Sequence, residues 1–280
     1  MISTALIMIG IGIFAGIAGA ILGLGGGIIV TPILTLAFGL NIKYAIGASI
    51  IVVIATSSGS TIAYLKDNVL NLRVAMFLEI ATTIGAVAGS LLTGVLDPKY
   101  LYVLFGLLLV FSGINMAKKV KGQQSNLSHH TDKIAHKLEL DSSYYDQATH
   151  HRIKYQVTHV PSGLAVMFGA GLASGLLGIG SGAFKVIAMD TFMKMPLKPS
   201  SSTSNFMMGV TAAASATVYF FNGSILPQIA VPLALGILVG AVAGSRIMQH
   251  LRAKWIRIVF VPILFYIGIN MLIQGFGVKL

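Results

Sequence analysis

Lys185 is the residue of this sequence whose chemistry is easiest to interpret. It is the only charged residue between Val160 and Ile187, in a run that is otherwise apolar or small. Such a run is typical of a membrane helix, where an ionised side chain is costly and by default has a function. We predict that the ammonium group binds an anion. The alternatives are that it extends to the membrane surface or forms a structural pair.

A run of six polar residues, Ser200 to Asn205, opens the next hydrophobic segment. A helix start needs only a capping side chain, which is the simpler interpretation of the run. Six polar residues exceed that need, and hydroxyl and amide groups are able to replace the hydration shell of an oxyanion. The predicted substrate contacts of this kind are Thr203, Ser204 and Asn205, with Ser49 and Ser57 in the first half of the chain.

Two glycine-rich clusters, Gly23–Gly27 and Gly178–Gly182, interrupt apolar segments. Glycine inside a helix costs about 1 kcal/mol relative to Ala, so several within five residues should break the helix. A helix that restarts after such a break presents free N–H groups and partial positive charge, which suits an anion. The predicted substrate contacts here are Gly25, Gly26, Gly27, Gly180, Ser181 and Gly182. Alternatively, the glycines only permit close helix packing.

The elements that position these residues are membrane helices. Hydrophobic residues make up 55% of the 280 residues and charged residues only 10%, whereas soluble domains carry about 25% charged residues. A membrane span needs about 20 mostly apolar residues. Runs without Asp, Glu, Lys or Arg cover 1–42, 44–65, 80–96, 101–117, 160–184, 199–245 and 258–278. We therefore predict an all-α polytopic membrane protein.

The chain contains two copies of one module, separated by 155 positions. Gly16 then matches Gly171, and the whole of Gly85–Ser90 recurs as Gly240–Ser245. Each half has four hydrophobic elements, at 3–38, 44–64, 73–96 and 100–117, and at 162–193, 199–221, 228–248 and 256–276. We expect a first membrane repeat at 1–117, a polar connector at 118–160 and a second membrane repeat at 161–280. Repeats of this kind are a common transporter design.

Loop charges distinguish parallel from inverted halves. The connector is strongly basic, and basic residues of short loops prefer the cytoplasm. If the first element of each half enters and leaves on the same side, as a re-entrant pair of half-helices, most remaining basic residues also face the cytoplasm. We therefore predict two inverted repeats, a cytoplasmic connector and extracytoplasmic termini. The net charge of +11 is explained by these loops, so no nucleic-acid partner is expected.

Two further features of the sequence are open to interpretation. Glu79 is either a proton-coupling carboxylate or, as we favour, a local partner of Arg73. Ile153, Tyr155 and Val157 alternate with polar residues, which predicts a short strand in the connector. The histidines have no regular ligand spacing and the chain has no nucleotide-binding motif, so we expect no metal and no cofactor.

The glycine clusters carry a family resemblance. The string Gly16–Gly27 with Pro32, its copy Gly171–Gly182, and the block Thr203–Thr211 resemble the TauE/SafE family of sulfite and organosulfonate exporters. The resemblance extends over nearly the whole chain, although Ser181 stands where a glycine is common. It implies export of an anion such as sulfite, sulfoacetate or a related sulfonate.

Three functions remain to be compared. The first is a secondary transporter in the cell membrane, and not an enzyme. It would bind a small anionic substrate near the midplane and use a proton or a sodium ion as coupling ion. Whether it forms a homodimer is left open. The second is a passive anion channel that uses the same basic site. The third is an intramembrane enzyme, for which Lys185 and Glu79 are only isolated candidates.

Overall fold

The computed structural model describes residues 2–23, 25–120, 132–147, 149–250 and 253–277. The part of the predicted connector at 121–131 and residue 148 therefore lie outside the described residues. Helices dominate the rest of the chain, as the sequence predicts for an all-α membrane protein. A two-stranded sheet is the only β-structure within the ranges described.

The helices of the two halves begin and end at matching residues, except that α1 begins three residues earlier than its copy α7. The first half contains α1 (Ile2–Leu22), α2 (Gly27–Pro32), α3 (Ile42–Lys66), α4 (Leu72–Val95) and α5 (Pro98–Val120). The connector contains α6 (Lys133–Lys137), β1 (Ser142–Asp146) and β2 (His151–Tyr155). The second half contains α7 (Val160–Leu177), α8 (Gly182–Ile187), α9 (Leu197–Phe221), α10 (Pro227–His250) and α11 (Ala253–Gly275). A π-helical turn follows α2 at Ile33–Ala37 and α8 at Ala188–Phe192, so the repeat extends to irregular structure.

In the part of the chain that the structure describes, four helices are long and apolar enough to cross a membrane: α3, α4, α7 and the Pro227–Met248 part of α10. Shorter apolar helical stretches accompany them at Ala5–Ile21, Gly27–Ala37, Pro98–Ile114 and Val261–Gly275. Large apolar side chains such as Ile80, Val95 and Phe221 are exposed, as expected for side chains that face lipid. The fold is that of a multi-pass α-helical membrane protein.

The first helix of each half packs against a helix of the other half. In α1, a Cβ atom placed on Gly12 would lie 2.5 Å from the Leu233 carbonyl oxygen of α10, and one on Gly16 would lie 2.6 Å from the Ile237 carbonyl oxygen. Residue numbers rise together along this contact, so α1 and α10 run parallel. The corresponding helices α7 and α4 meet in the same way, with Gly171 against the backbone of Thr82. Small residues at such contacts let helix backbones approach closely.

Helices α3 and α9 pack against each other in the interior of the protein. Gly47, near the start of α3, lies against Ser224, just beyond the end of α9. Ser57, later in α3, donates a hydrogen bond to the Phe206 carbonyl oxygen, early in α9, at 3.3 Å. The two helices therefore run antiparallel, and both are largely buried.

The connector forms a small cap over the ends of α4 and α9. Strands β1 and β2 pair antiparallel, with Ser142 opposite Tyr155 and Asp146 opposite His151, so the strand predicted around Ile153 is present as β2. The Asn71 amide, at the start of α4, donates to the Leu140 carbonyl oxygen at 2.8 Å.

Charge pairs and aromatic side chains also hold the cap in place. Lys198 of α9 pairs with Asp146 at 2.7 Å, and both side chains are nearly buried. Arg73 pairs with Glu139 at 2.5 Å on the exposed side. Burial and then the charge of Asp146 raise the pKa of Tyr144, so this phenol stays protonated in the cap core.

The close contact between α1 and α10 generates a prediction about stability. Gly16→Ala should lower the midpoint of thermal unfolding in detergent, because the added methyl group forces the two backbones apart, at a cost of about 1–3 kcal/mol. Gly10→Ala in the same helix is the matched control, since a Cβ atom there meets nothing within 4 Å. Equal midpoints for the two variants would contradict the packing of α1 on α10.

Candidate functional site

Both glycine clusters break their helices, as predicted. Gly23 and Gly25 have φ angles of +67° and +73°, a left-handed conformation that glycine adopts without steric cost. The chain then turns back, because a Cβ atom placed on Gly19 of α1 would lie 2.5 Å from the Gly26 nitrogen. The second turn repeats this geometry at Gly178 and Gly180, with φ angles of +63° and +70°.

The two turns meet in the interior of the protein. A Cβ atom placed on Gly27 would lie 3.1 Å from the Gly178 carbonyl oxygen of the other turn. Gly25 and Gly180 are both in contact with Val53 of α3 and Met208 of α9. These two side chains lie near the middles of their helices, so the turns lie far from either end of α3 and α9.

Ser49 and Ser204 each hold the turn of the opposite half. The Ser49 hydroxyl donates to the Gly178 carbonyl oxygen at 2.8 Å, and the Ser204 hydroxyl donates to the Gly23 carbonyl oxygen at 2.9 Å. Ser49 and Ser204 are related by the repeat, as are Gly23 and Gly178. The two hydroxyls therefore satisfy backbone carbonyl groups that a broken helix leaves without partners.

Two tyrosines that sequence reasoning did not select for the site complete this pattern. The Tyr64 hydroxyl donates to the Ala20 carbonyl oxygen at 2.8 Å, and the Tyr219 hydroxyl donates to the Gly175 carbonyl oxygen at 2.7 Å. Both side chains are buried. The signal was present in the sequence, since Tyr64 and Tyr219 match at the repeat offset within apolar segments.

Asn205 and Ser181 are the predicted contacts that keep unused polar atoms beside the turns. The Asn205 amide nitrogen donates to the Ala20 carbonyl oxygen at 3.0 Å. Its Oδ1 atom and the Ser181 Oγ atom are buried, and no hydrogen-bond partner meets either of them among the described residues. Ser181 also has a φ angle of +49°, which is unfavourable for a residue other than glycine. Unused polar atoms and backbone strain in one place are features of functional sites.

Two other predicted contacts make helix-to-helix hydrogen bonds. Thr203 accepts a hydrogen bond from the Asn71 backbone nitrogen at 3.1 Å, close to the cap. Ser57 bonds to α9 through the Phe206 carbonyl oxygen, as described above. Thr56, its neighbour, accepts from the Gly26 nitrogen at 3.3 Å and so lies closer to the first turn.

Lys185 lies one helical turn beyond the second glycine cluster and is completely buried. Its backbone nitrogen bonds to the Ser181 carbonyl oxygen at 3.0 Å. Its ammonium nitrogen lies 2.5 Å from the Thr211 hydroxyl oxygen and 3.7 Å from Oε2 of Glu79. The alternative in which Lys185 extends to the membrane surface is therefore wrong, because the side chain points into the protein toward these two partners.

The predicted local pairing of Glu79 with Arg73 is also wrong. Arg73 pairs with Glu139 of the cap, whereas the Glu79 carboxylate faces Lys185. Oε1 of Glu79 accepts from Thr211 at 2.5 Å and from Thr83 at 3.2 Å. A buried carboxylate and a buried ammonium are each costly alone, so mutual pairing is more favourable than a surface partner.

The charge pair breaks the symmetry of the repeat. At the repeat offset Lys185 corresponds to Val30, Glu79 to Ala234, and Thr211 to Thr56. The threonine is therefore common to both halves, whereas the charges occur once. Glu79 belongs to the first half and Lys185 to the second, so the pair joins the two halves beside the glycine turns.

Comparison with known proteins places the chain among membrane transporters. A profile of the family described as Sulfite exporter TauE/SafE matches residues 8–271. The probable membrane transporter protein YunE of Bacillus subtilis is 26% identical over 276 residues, which cover 96% of this chain and 97% of the relative. A probable membrane transporter protein of Methanocaldococcus jannaschii is 28% identical over 95% of each chain. No solved structure matches the chain.

The hydroxyls that hold the turns generate a prediction. Ser204→Ala should destabilise the protein by about 1–3 kcal/mol, because a buried carbonyl group of the first turn loses its donor. Ser58→Ala is the matched control, since its hydroxyl is exposed and bonds only within α3, to Ile54. The measurement is the midpoint of thermal unfolding in detergent. A Ser204→Ala midpoint equal to that of Ser58→Ala would show that the hydrogen bond to Gly23 does not hold the turn.

Proposed function

Because the chain belongs to the Sulfite exporter TauE/SafE family, we propose that it is a secondary transporter that exports a small anion such as sulfite, sulfoacetate or a related organosulfonate. The observation that carries this proposal is the buried Lys185 beside two helix breaks that meet in the protein interior. An ammonium group that is fully buried against Thr211, near the middle of α9, has little use as a solubilising charge. It has an obvious use as the attractive group of an anion site.

The proposed substrate site lies between the two glycine turns and Lys185. The anion would accept hydrogen bonds from the ammonium group, the Ser181 hydroxyl and backbone N–H groups at the starts of α2 and α8, around Gly25–Gly27 and Gly180–Gly182. Asn205 borders the site and would bond to a protonated or hydroxylated part of the substrate through its Oδ1 atom. Ser49 and Ser204 support the turns from outside, and Thr203 and Ser57 act only through helix packing.

We propose that the halves are inverted repeats with re-entrant first elements. The antiparallel contact of α3 with α9 supports this arrangement, because these two helices are copies of each other at the repeat offset. The parallel contacts of α1 with α10 and of α7 with α4 support it as well. In this arrangement the glycine turns reach the membrane midplane and the chain returns to the side from which it came.

The proposed setting is the cell membrane, with the connector at 118–160 in the cytoplasm. The basic residues of the cap and of the adjoining loops support this orientation. The partners are then the small anion, the lipid bilayer and a coupling proton or sodium ion, with a homodimer as the proposed assembly. Chemical change of the substrate is not part of the proposal, so the protein is a transporter and not an enzyme.

The topology has a direct test. A reporter enzyme that is active only outside the cytoplasm should show activity when it is fused after Leu280 and none when it is inserted at residue 147. A reporter that is active only in the cytoplasm should show the opposite pattern. The reason is that an inverted pair of repeats has an even number of full crossings, with the connector on the opposite side from both termini. A cytoplasmic reporter signal after Leu280 would contradict inverted repeats.

The substrate class is tested by counterflow in proteoliposomes. Vesicles loaded with unlabelled sulfite or sulfoacetate should accumulate the labelled anion from outside, because a carrier exchanges substrate across the membrane without net transport. Saturation of that exchange at high concentration is the expected behaviour of a carrier. Flux that rises without saturation, and with no counterflow, would identify a passive channel instead.

The role of Lys185 is tested by binding to the purified protein. Lys185→Met should weaken sulfoacetate binding at least tenfold, about 1.4 kcal/mol, because the charge that attracts the anion is lost. Lys198→Met is the matched control, since Lys198 is also buried and paired with a carboxylate, Asp146, but lies at the cap. Unchanged affinity in Lys185→Met would remove Lys185 from the substrate site.

A further inference from the structure

We propose that Glu79 takes up a proton when the anion binds Lys185, so that the protein carries a proton and an anion together. This inference rests on the proposed function, since it assigns the coupling ion of the same site. It starts from the shared position of one ammonium group, one carboxylate and one hydroxyl inside the protein. Lys185 is completely buried, and Glu79 and Thr211 are buried beside it.

The geometry makes the anion and the Glu79 carboxylate competitors for one positive charge. Oε2 of Glu79 lies 3.7 Å from the Lys185 ammonium, too far for a hydrogen bond, and accepts none among the described residues. Of the three N–H groups of Lys185, one is directed at Thr211. The others are therefore available to a second acceptor without loss of an existing hydrogen bond to Glu79.

Both negative charges cannot be held there by a single ammonium group. An anion bound to Lys185 would leave the buried Glu79 carboxylate without a compensating charge, which costs several kcal/mol for a buried group. A proton on Oε2 of Glu79 removes that cost. The proton comes from the aqueous side to which the site is open, and Glu79 returns it when the anion leaves and the pair with Lys185 forms again.

No other positive group on α4, α7 or α9 is free to compensate the charge of Glu79 when Lys185 binds the anion. Within the described range, α7 carries no ionisable side chain, although it packs closely along α4. The other ionisable groups on α4 and on α9, which also packs against it, are Arg73, which pairs with Glu139; Lys198, which pairs with Asp146; and Tyr219, which bonds to Gly175. Asp190 lies in the π-helical turn five positions after Lys185. Lys185 is the cation placed against Glu79.

Thr211 transmits the state of one partner to the other. Its hydroxyl oxygen accepts from Lys185 at 2.5 Å, and its proton has two acceptors, Oε1 of Glu79 at 2.5 Å and the Met207 carbonyl oxygen at 2.8 Å. When Glu79 is neutral, this hydroxyl bonds less strongly to it and is free to follow the ammonium toward the anion. Proton and anion then favour each other's binding by the same factor, as linkage requires. The two move in the same direction, and their combined gradients set that direction.

The first test is the proton count on binding to the unmodified protein. Calorimetry with sulfoacetate, in buffers of different ionisation enthalpy near pH 8, should show uptake of about one proton per anion bound. Sulfoacetate is suitable because its acidic groups stay ionised there, so any proton taken up binds to the protein. Binding without proton uptake would overturn the proposal.

The second test uses Glu79→Gln, which keeps the shape of the side chain and cannot titrate. At pH values where Lys185 stays protonated, sulfoacetate affinity of the unmodified protein should fall about tenfold per pH unit, whereas the affinity of Glu79→Gln should not change with pH. Glu139→Gln is the matched control and should keep the pH dependence, since Glu139 is an exposed partner of Arg73. An unchanged pH dependence in Glu79→Gln would contradict the proposal.

Transport separates coupling from binding. In proteoliposomes with an entrapped pH indicator, outward movement of sulfoacetate through the unmodified protein should carry protons outward. In Glu79→Gln, sulfoacetate that moves outward should carry no protons, so the ratio of protons to anions moved should fall from about one toward zero. If Glu79→Gln fails to fold, the proton count on the unmodified protein decides alone.

Failure of this inference is distinguishable from failure of the proposed function. If the unmodified protein does not bind sulfoacetate, or if Lys185→Met binds it equally well, the substrate site itself is wrong and the inference falls with it. If binding depends on Lys185 but takes up no proton, the anion site stands. Glu79 is then only a structural counter-charge, and the coupling proposal is overturned.

Discussion

The rest of the structure depends on how two broken helices satisfy their backbone groups inside a hydrophobic protein. A helix that ends at a glycine turn leaves carbonyl groups without partners, and within a membrane no bulk water compensates for them. Here the opposite half supplies the donors, Ser49 for Gly178 and Ser204 for Gly23. Tyr64 and Tyr219 add a second pair of hydrogen bonds one turn earlier in each helix. Because the donors come from the two central helices, the turns are held together in the middle of the protein.

The pair of Lys185 with Glu79 breaks the symmetry of this frame. The repeat-related positions are apolar, so neither charge is needed to fold the module. The pair joins the halves at the position where alternating access would move one against the other. The Lys185 ammonium needs a negative partner in every state of the transport cycle, either Glu79 or the bound anion. The free energy of the pair therefore depends on anion binding, on the charge of the carboxylate and on the relative position of the two halves. In that respect Lys185 and Glu79 differ from the Lys198–Asp146 pair, which connects a helix end to the cap.

The sequence predicted the elements of this fold better than their contacts. Charge-free runs located the helices, and the glycine clusters at 23–27 and 178–182 located the breaks, because these features are local. The assignment of Glu79 to Arg73 failed because proximity in sequence favoured a neighbour, whereas the actual partner is more than a hundred residues away. Two lone opposite charges in apolar segments were nevertheless a usable signal. Ser204 was expected to touch the substrate, but its hydroxyl is occupied by the Gly23 carbonyl group, which only the three-dimensional arrangement reveals.

We propose that an anion binds beside the glycine turns and displaces Glu79 from Lys185. A crystal structure of the protein with bound 2-bromoethanesulfonate tests it most directly, because the anomalous signal of bromine locates the ligand independently of the surrounding density. We predict a bromine peak beside the two turns, with the sulfonate group in hydrogen-bond contact with the Lys185 ammonium. The distance from Nζ of Lys185 to Oε2 of Glu79 should be longer than the present 3.7 Å. A ligand bound elsewhere in the protein, with the Lys185–Glu79 pair unchanged, would contradict the account.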